Sequence, residues 1–358
     1  MYRCEACGRT YEETASAPWR CSCGHALDFA TTPHPDGPPP SPDRDRGLWT
    51  FGEFLPVDRR VTLGEGWTPL VDAPAWDASF KLEYCVPTGS FKDRGAATTL
   101  SHAAGLGVEC VLEDSSGNAG AAIATYAARA GIDAEIYVPA TAKPGKLRAI
   151  ERAGADVVRV EGDRTAVTDA CLDAVESAEG WYASHAWHPA FFAGTATVAF
   201  EIAAQRDWTA PDALVVPVGH GTLFLGAYRG FRALREAGWI DRIPRLYGVQ
   251  AAGAAPIVAA RHGEAAAAGA NDAADGIQIR EPARKGQILA AIDDSGGDAV
   301  AVDAARTERA LDRLHDVGFY TEPTCAVAPA ALDMLREGGS IGTDADVVVP
   351  LTGSGLKT

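Results

Sequence analysis

The chain is poor in lysine. Six lysines stand among 32 basic residues in a length of 358, and 48 carboxylates leave a formal charge of −16. So anionic a surface repels phosphate backbones, which argues against a nucleic-acid binder. No apolar run approaches the roughly 20 residues that a bilayer span requires. The first residues are polar and cysteine-rich rather than a basic segment followed by an apolar one. No signal peptide is therefore expected, and a soluble cytoplasmic protein is. Arginine and carboxylate in place of lysine suit solubility in high salt, where screening is short-ranged. A GC-rich genome would leave the same bias, and the two readings stay open.

What is present begins with enough apolar residues, 47%, to build large cores. The length suits two domains and a small module. Cys4, Cys7, Cys21 and Cys23 crowd "CEACGRTYEETASAPWRCSCGH" as a Cys-x-x-Cys and a Cys-x-Cys pair, each followed by glycine. Two close thiolate pairs suit a tetrahedral, structural Zn²⁺ site, with no open position for catalysis. Disulfide pairing is the alternative, which a reducing cytosol opposes, and His25 is an alternative ligand. Cys85, Cys110, Cys171 and Cys325 are scattered as small core residues. The Pro- and Asp-rich stretch 31–47 reads as a semi-rigid tether unable to pack a core.

Further along, short apolar runs at 108–113, 134–139, 155–160, 212–219, 245–250 and 345–353 read as strands. Ala-rich helical stretches alternate with the earlier ones, including 143–154 and 164–178. This alternation predicts an α/β fold with parallel sheets, whose ligands sit at the carboxyl ends of the strands. Three loops occupy such ends. "DSSGNAG" places Ser115, Ser116, Gly117, Asn118 and Ala119 at a helix start, which attracts an anion such as a carboxylate or simply supplies an N-cap. Gly219, His220, Gly221 and Thr222 form a glycine-rich turn that suits a phosphate, although it has neither a Walker lysine nor dinucleotide-type glycine spacing. Thr352 and Ser354 follow the last strand with neutral hydroxyls.

Lys92, in "KLEYCVPTGSFKDRGA", is predicted at a helix N-terminus, where its positive charge is disfavoured and its pKa falls. A neutral amine is what a Schiff-base lysine needs; the plain alternative is a surface lysine paired to Asp93. An amine, a phosphate cradle, an anion-binding loop and a terminal hydroxyl together suggest pyridoxal phosphate.

These motifs resemble the fold-type II pyridoxal-phosphate enzymes, the tryptophan synthase β-subunit family, and within it are most similar to the threonine synthases. "GEGWTPL" (64–70), the Lys92 motif, "SSGNAGAAIATYAARAGI" and "LTGSGLK" occur in that family's order, over about residues 48–358. The resemblance implies a two-domain, parallel-sheet fold: a zinc ribbon at 1–30, a linker at 31–47, a large cofactor-binding domain at 48–95 and 196–358, and a small α/β domain at 96–195. It implies that Lys92 carries the cofactor and shuttles protons. Phe91 packs near the ring, Asn118 bonds its 3′-oxygen, Gly219, His220, Gly221 and Thr222 hold its phosphate, and Thr352 meets the pyridine nitrogen. Ser115, Ser116 and Ala119 would surround the substrate carboxylate. A homodimer is expected from the family alone.

The resemblance fails in one stretch, "SHAWHPAFFAGTATVAFEI" (184–202). His185 and Ala186 stand where threonine synthases carry Asn-Ser, and Phe191 stands where they carry an arginine that grips the substrate's phosphate. His185 is kept as a substrate-binding candidate. The implied activity in amino-acid metabolism is a lyase that converts O-phospho-L-homoserine and water to L-threonine and phosphate. The alternative is a threonine or serine dehydratase, giving a 2-oxo acid and ammonia, which needs no anion clamp. A non-catalytic relative whose ribbon docks a partner would have lost a key residue, yet Lys92, Asn118 and the glycine loop are present.

Overall fold

A computed structural model describes all residues except Pro40, Thr358 and Lys143, with which the helix expected over 143–154 would begin; side chains of residues 144–146 also lie outside the description. Among the described residues, thirteen strands form three sheets. The N-terminal one joins β1 (Tyr2–Arg3), β2 (Thr10–Tyr11) and β3 (Asp28–Phe29), with β1 central and antiparallel to both neighbours.

The six-stranded sheet uses β4 (Leu70–Ala73), β5 (Ala78–Lys81), β10 (Ala213–Pro217), β11 (Arg245–Ala251), β12 (Asp298–Val302) and β13 (Val347–Pro350). Its order is β12-β11-β10-β13-β5-β4, parallel except for β4 at one edge. The four-stranded sheet, β8-β7-β6-β9, is wholly parallel and comprises β6 (Cys110–Glu113), β7 (Asp133–Pro139), β8 (Asp156–Val160) and β9 (Trp181–Tyr182). Central strands such as β10 are buried at every position, as parallel sheets covered on both faces require. Among the described residues no helix is long and apolar enough to cross a membrane.

Between the sheets lie helices Lys92–Gly105 and Pro189–Gln205, which approach closely through reciprocal glycines. A Cβ on Gly95 would stand 2.1 Å from the Phe191 ring, and one on Gly194 would stand 2.0 Å from the carbonyl oxygen of Arg94. Phe191 is thus a fully buried packing residue. Beneath this contact lies a charged cluster with no solvent exposure: Lys81, Glu83, Arg94 and Glu201. Arg94 donates to Glu83 through Nε at 2.6 Å and Nη2 at 2.7 Å, and to Glu201 through Nη1 at 2.6 Å and Nη2 at 2.8 Å. Lys81 Nζ completes it with bonds to Glu201 at 2.8 Å, the Thr68 carbonyl at 2.6 Å and Gln205 at 2.8 Å.

The stretch expected to be a tether contacts the body: Trp239 Nε1 donates to the Gly37 carbonyl at 2.9 Å, and a 3-10 helix already runs over Arg44–Phe54 with Gly47 buried. Arg284 is buried, unlike exposed Arg280 and Lys285. It is 2% exposed and donates to Asp28 of the first sheet at 2.9 Å and to the Trp187 carbonyl at 2.6 Å.

Removing one anion from the buried cluster strands a cation without solvent. Glu201→Gln is expected to cost roughly 3–5 kcal/mol, read as a lower urea midpoint with an unchanged slope. Breaking the exposed Arg232–Glu236 pair with Arg232→Ala should cost less than about 1 kcal/mol.

Candidate active site

The three loops singled out from sequence converge on one cavity of about 280 Å³. All twelve candidate residues line it: Phe91, Lys92, Ser115, Ser116, Asn118, Ala119, His185, Gly219, His220, Gly221, Thr222 and Thr352. The loops follow β6, β10 and β13, so both sheets present their carboxyl ends to the same space.

Among the helices that begin at this cavity are three that no side chain caps. Their first residues are Lys92, Asn118 and Thr222, with Phe91, Gly117 and Gly221 at the N-caps. Unclaimed N–H groups at a helix start carry partial positive charge and bind anions. The ordinary N-cap role weighed for Ser115, Ser116 and Asn118 is therefore absent. Gly221 has φ +78°, and a Cβ there would meet Ile288 Cδ1 at 2.5 Å, so this turn closes only with glycine. His220 Nδ1 is buried without a hydrogen-bond partner among the described residues.

Lys92 is held at its helix start by the neighbouring strand end: Phe91 N donates to the Thr352 carbonyl at 3.1 Å. Its Nζ lies 3.9 Å from the centre of the Phe91 ring. Burial lowers its pKa from the ordinary 10.5 to about 8, against the opposing fields of Glu322 and Glu113. Asp93 is not its partner; that carboxylate accepts from Thr88 N at 2.8 Å and Tyr126 Oη at 3.3 Å.

The opposite wall is polar. Asn118 Nδ2 donates to both oxygens of Glu322, each at 3.1 Å, so Glu322 leaves its own helix start uncapped and reaches the other sheet's loop. Thr352 Oγ1 lies 3.3 Å from Cys325 Sγ. His185 Nδ1 lies 2.6 Å from Glu113 Oε1. Glu113, Asp114, Arg164, Asp275 and Thr324 also line or adjoin the cavity and were missed in the sequence. Glu113 had a signal, an acid closing an apolar strand just before the loop; Arg164 had none. Phe191 and Ala186 do not line it.

A second cluster stands apart. The sulfurs of Cys4, Cys7, Cys21 and Cys23 all lie within 4.8 Å of one another, with Cys4–Cys23 at 3.6 Å and Cys7–Cys21 at 3.5 Å. All four are free thiols. Thiolates about 2.3 Å from a tetrahedral zinc are about 3.8 Å apart, close to this spacing. His25 Nδ1 is 3.5 Å from Cys23 Sγ and outside the four-sulfur set.

The depressed pKa of Lys92 makes a direct prediction. In cofactor-free protein, acetic anhydride should label Lys92 with a rate that rises through about pH 8. A lysine in a short unstructured reference peptide added to the same pulse should instead follow the ordinary value near 10.4. Peptide mapping after short pulses reads both, and a Lys92 profile matching the reference peptide would overturn the assignment.

The family of pyridoxal-phosphate dependent enzymes matches residues 61–353. Threonine synthase of Methanocaldococcus jannaschii is 34% identical over 382 aligned positions, covering 100% of this chain and 93% of that protein. Threonine synthase of Methanosarcina acetivorans is 36% identical, covering 87% of this chain and 80% of that one. Among solved structures, a pyridoxal 5′-phosphate-dependent aspartate racemase superposes with a TM-score of 0.68 at 25% identity, covering 80% of this chain and 90% of that chain. With the family match spanning most of its length and relatives 34% and 36% identical over 100% and 87% of it, the chain belongs to the pyridoxal-phosphate dependent enzymes and is a threonine synthase-like lyase.

Proposed function

We propose that the protein converts O-phospho-L-homoserine and water to L-threonine and phosphate. The observation that carries this reading is Lys92, a lysine of lowered pKa set among three uncapped helix starts in one cavity. Pyridoxal phosphate fits these residues. The helix that starts at Thr222 has no side-chain cap, and Lys92 offers an amine that is half neutral near pH 8.

When bound, the cofactor supplies an electron sink for charge developing at the substrate's Cα. The chain's own residues do the rest. Gly219, His220, Gly221 and Thr222 would hold the cofactor phosphate by backbone N–H groups, Phe91 would pack near its ring, and Asn118 would offer its amide to the 3′-oxygen. Thr352 would present a neutral hydroxyl to the ring nitrogen. Ser115, Ser116 and Ala119, at the start of helix Asn118–Ala130, take the substrate carboxylate. Lys92 removes and returns protons at Cα and Cβ, a role that arginine cannot fill because it never deprotonates.

The substrate's own phosphate needs a cation that Phe191 cannot supply. Arg164 lines the cavity and makes no ion pair or side-chain hydrogen bond among the described residues. We assign it that role, at the start of helix Arg164–Glu176. Structural Zn²⁺ fits the four-cysteine cluster as a closed site. The four-stranded sheet with its helices is the small domain, and the six-stranded sheet organises the large one.

The test is phosphate release from O-phospho-L-homoserine with the amino-acid product identified. Stoichiometric threonine is expected, and Arg164→Ala should raise KM about tenfold or more, the loss of a charge-assisted contact. A cofactor-loaded enzyme that releases no phosphate, but frees ammonia from threonine or serine, would replace this reading with the dehydratase.

A further inference from the structure

Glu113 ends β6 with no exposure to solvent, and both of its oxygens face the same residue. Oε1 meets His185 Nδ1 at 2.6 Å, and Oε2 accepts from the His185 backbone N–H at 3.2 Å. A carboxylate so placed fixes the imidazole's tautomer and plane, with Nδ1 engaged and Nε2 remaining. His185 lines the cavity and is only 7% exposed. Its backbone is fixed too, because Thr222 Oγ1 donates to the His185 carbonyl at 3.4 Å. The other charged or titratable groups facing the ring are Asp114 beyond β6, Lys92 on its helix, Arg164 on the helix after β8, and His220, whose ring centre is 5.3 Å away. A substrate-binding amide would need no buried carboxylate behind it, whereas a proton carrier does.

We infer that His185, oriented by Glu113, is the base that activates water for addition at the substrate's Cβ. This rests on the reaction proposed above. His185 Nε2 takes a proton as the water O–H bond breaks, and the oxygen's electron pair forms the C–O bond at Cβ. The electrons of the Cα–Cβ double bond pass to Cα, where Lys92 delivers a proton. His185 then loses its proton to solvent, and Lys92 regains one. The net change is one water added across Cα and Cβ. Burial, with Asp114 adding to it, holds the Glu113 carboxyl well above the usual carboxylate range. Burial likewise holds His185 below the usual imidazole range, at about 3. The pair therefore shares a proton at low pH, and its basic form appears as pH rises.

The experiment is product partition by the cofactor-loaded enzyme on O-phospho-L-homoserine, comparing wild type, His185→Gln and Glu113→Gln. After phosphate leaves, an unhydrated product decomposes to 2-oxobutanoate and ammonia, so failed hydration leaves a countable trace. In His185→Gln, threonine formation should fall about 10²-fold, phosphate release far less, and 2-oxobutanoate should appear in its place. Glu113→Gln, which holds the other tautomer, should shift the partition in the same direction. The wild-type threonine fraction should rise with pH, and this rise should vanish in both variants. The bound cofactor's visible band confirms that each variant is folded. Threonine made by wild type with an unchanged partition and pH profile in both variants would overturn the inference alone. No phosphate released by wild type would overturn the underlying reaction and the inference with it.

Discussion

Arg94 lies two residues beyond Lys92 on the same helix, and its guanidinium is wholly enclosed between Glu83 and Glu201. Each carboxylate comes from a different part of the chain: Glu83 follows β5, and Glu201 belongs to helix Pro189–Gln205. Their positions therefore fix the first turn of the Lys92 helix against both. Charges enclosed this way persist only when each is matched, since desolvation costs several kcal/mol per ion. The cluster holds two cations and two anions. Burial would raise the Glu201 pKa, but Arg94 and Lys81 bring it to about 2, so the cluster's contribution is complete above the ordinary 4.5 and is lost as pH falls through 2. The Lys92 amine is held in position because its neighbour on the helix cannot move without stranding a charge.

The N-terminal three-stranded sheet extends this bracing. Asp28 on β3 receives Arg229 at 2.8 Å and Arg284 at 2.9 Å, and burial does not prevent these partners from holding its carboxyl well below the usual range. Tyr2 on β1 meets His102 Nε2 at 2.6 Å, on the far end of the Lys92 helix. One small sheet thus touches helices belonging to both larger sheets. The segment between them, 184–188, carries His185 into the cavity and His188 toward Tyr2, whose ring centre lies 6.0 Å away.

Much of the site was legible because its parts are local. A lysine among small residues, two glycine-bearing strand-to-helix turns and a terminal hydroxyl each announce themselves within seven or so positions, and all lie on one cavity. The strands with continuous apolar runs were also readable. β4 and β5 were not, since "LVDA" and "ASFK" mix polar and apolar residues and are only partly buried. The long-range pairs left no trace in sequence. Glu113 and His185 are 72 positions apart, and Arg284 and Asp28 are 256 apart. Phe191, read as the loss of a phosphate-gripping arginine, has a packing place against Gly95 away from the cavity, which no local pattern signals.

The account stands on Lys92 as the residue that carries the cofactor. Borohydride reduction of the protein loaded with pyridoxal phosphate, followed by peptide mapping across all six lysines, tests that most directly. The prediction is a single pyridoxyl group, on Lys92. A label on Lys357, which reaches the Thr88 carbonyl at 2.8 Å, or on any other lysine with Lys92 unmodified, would contradict it.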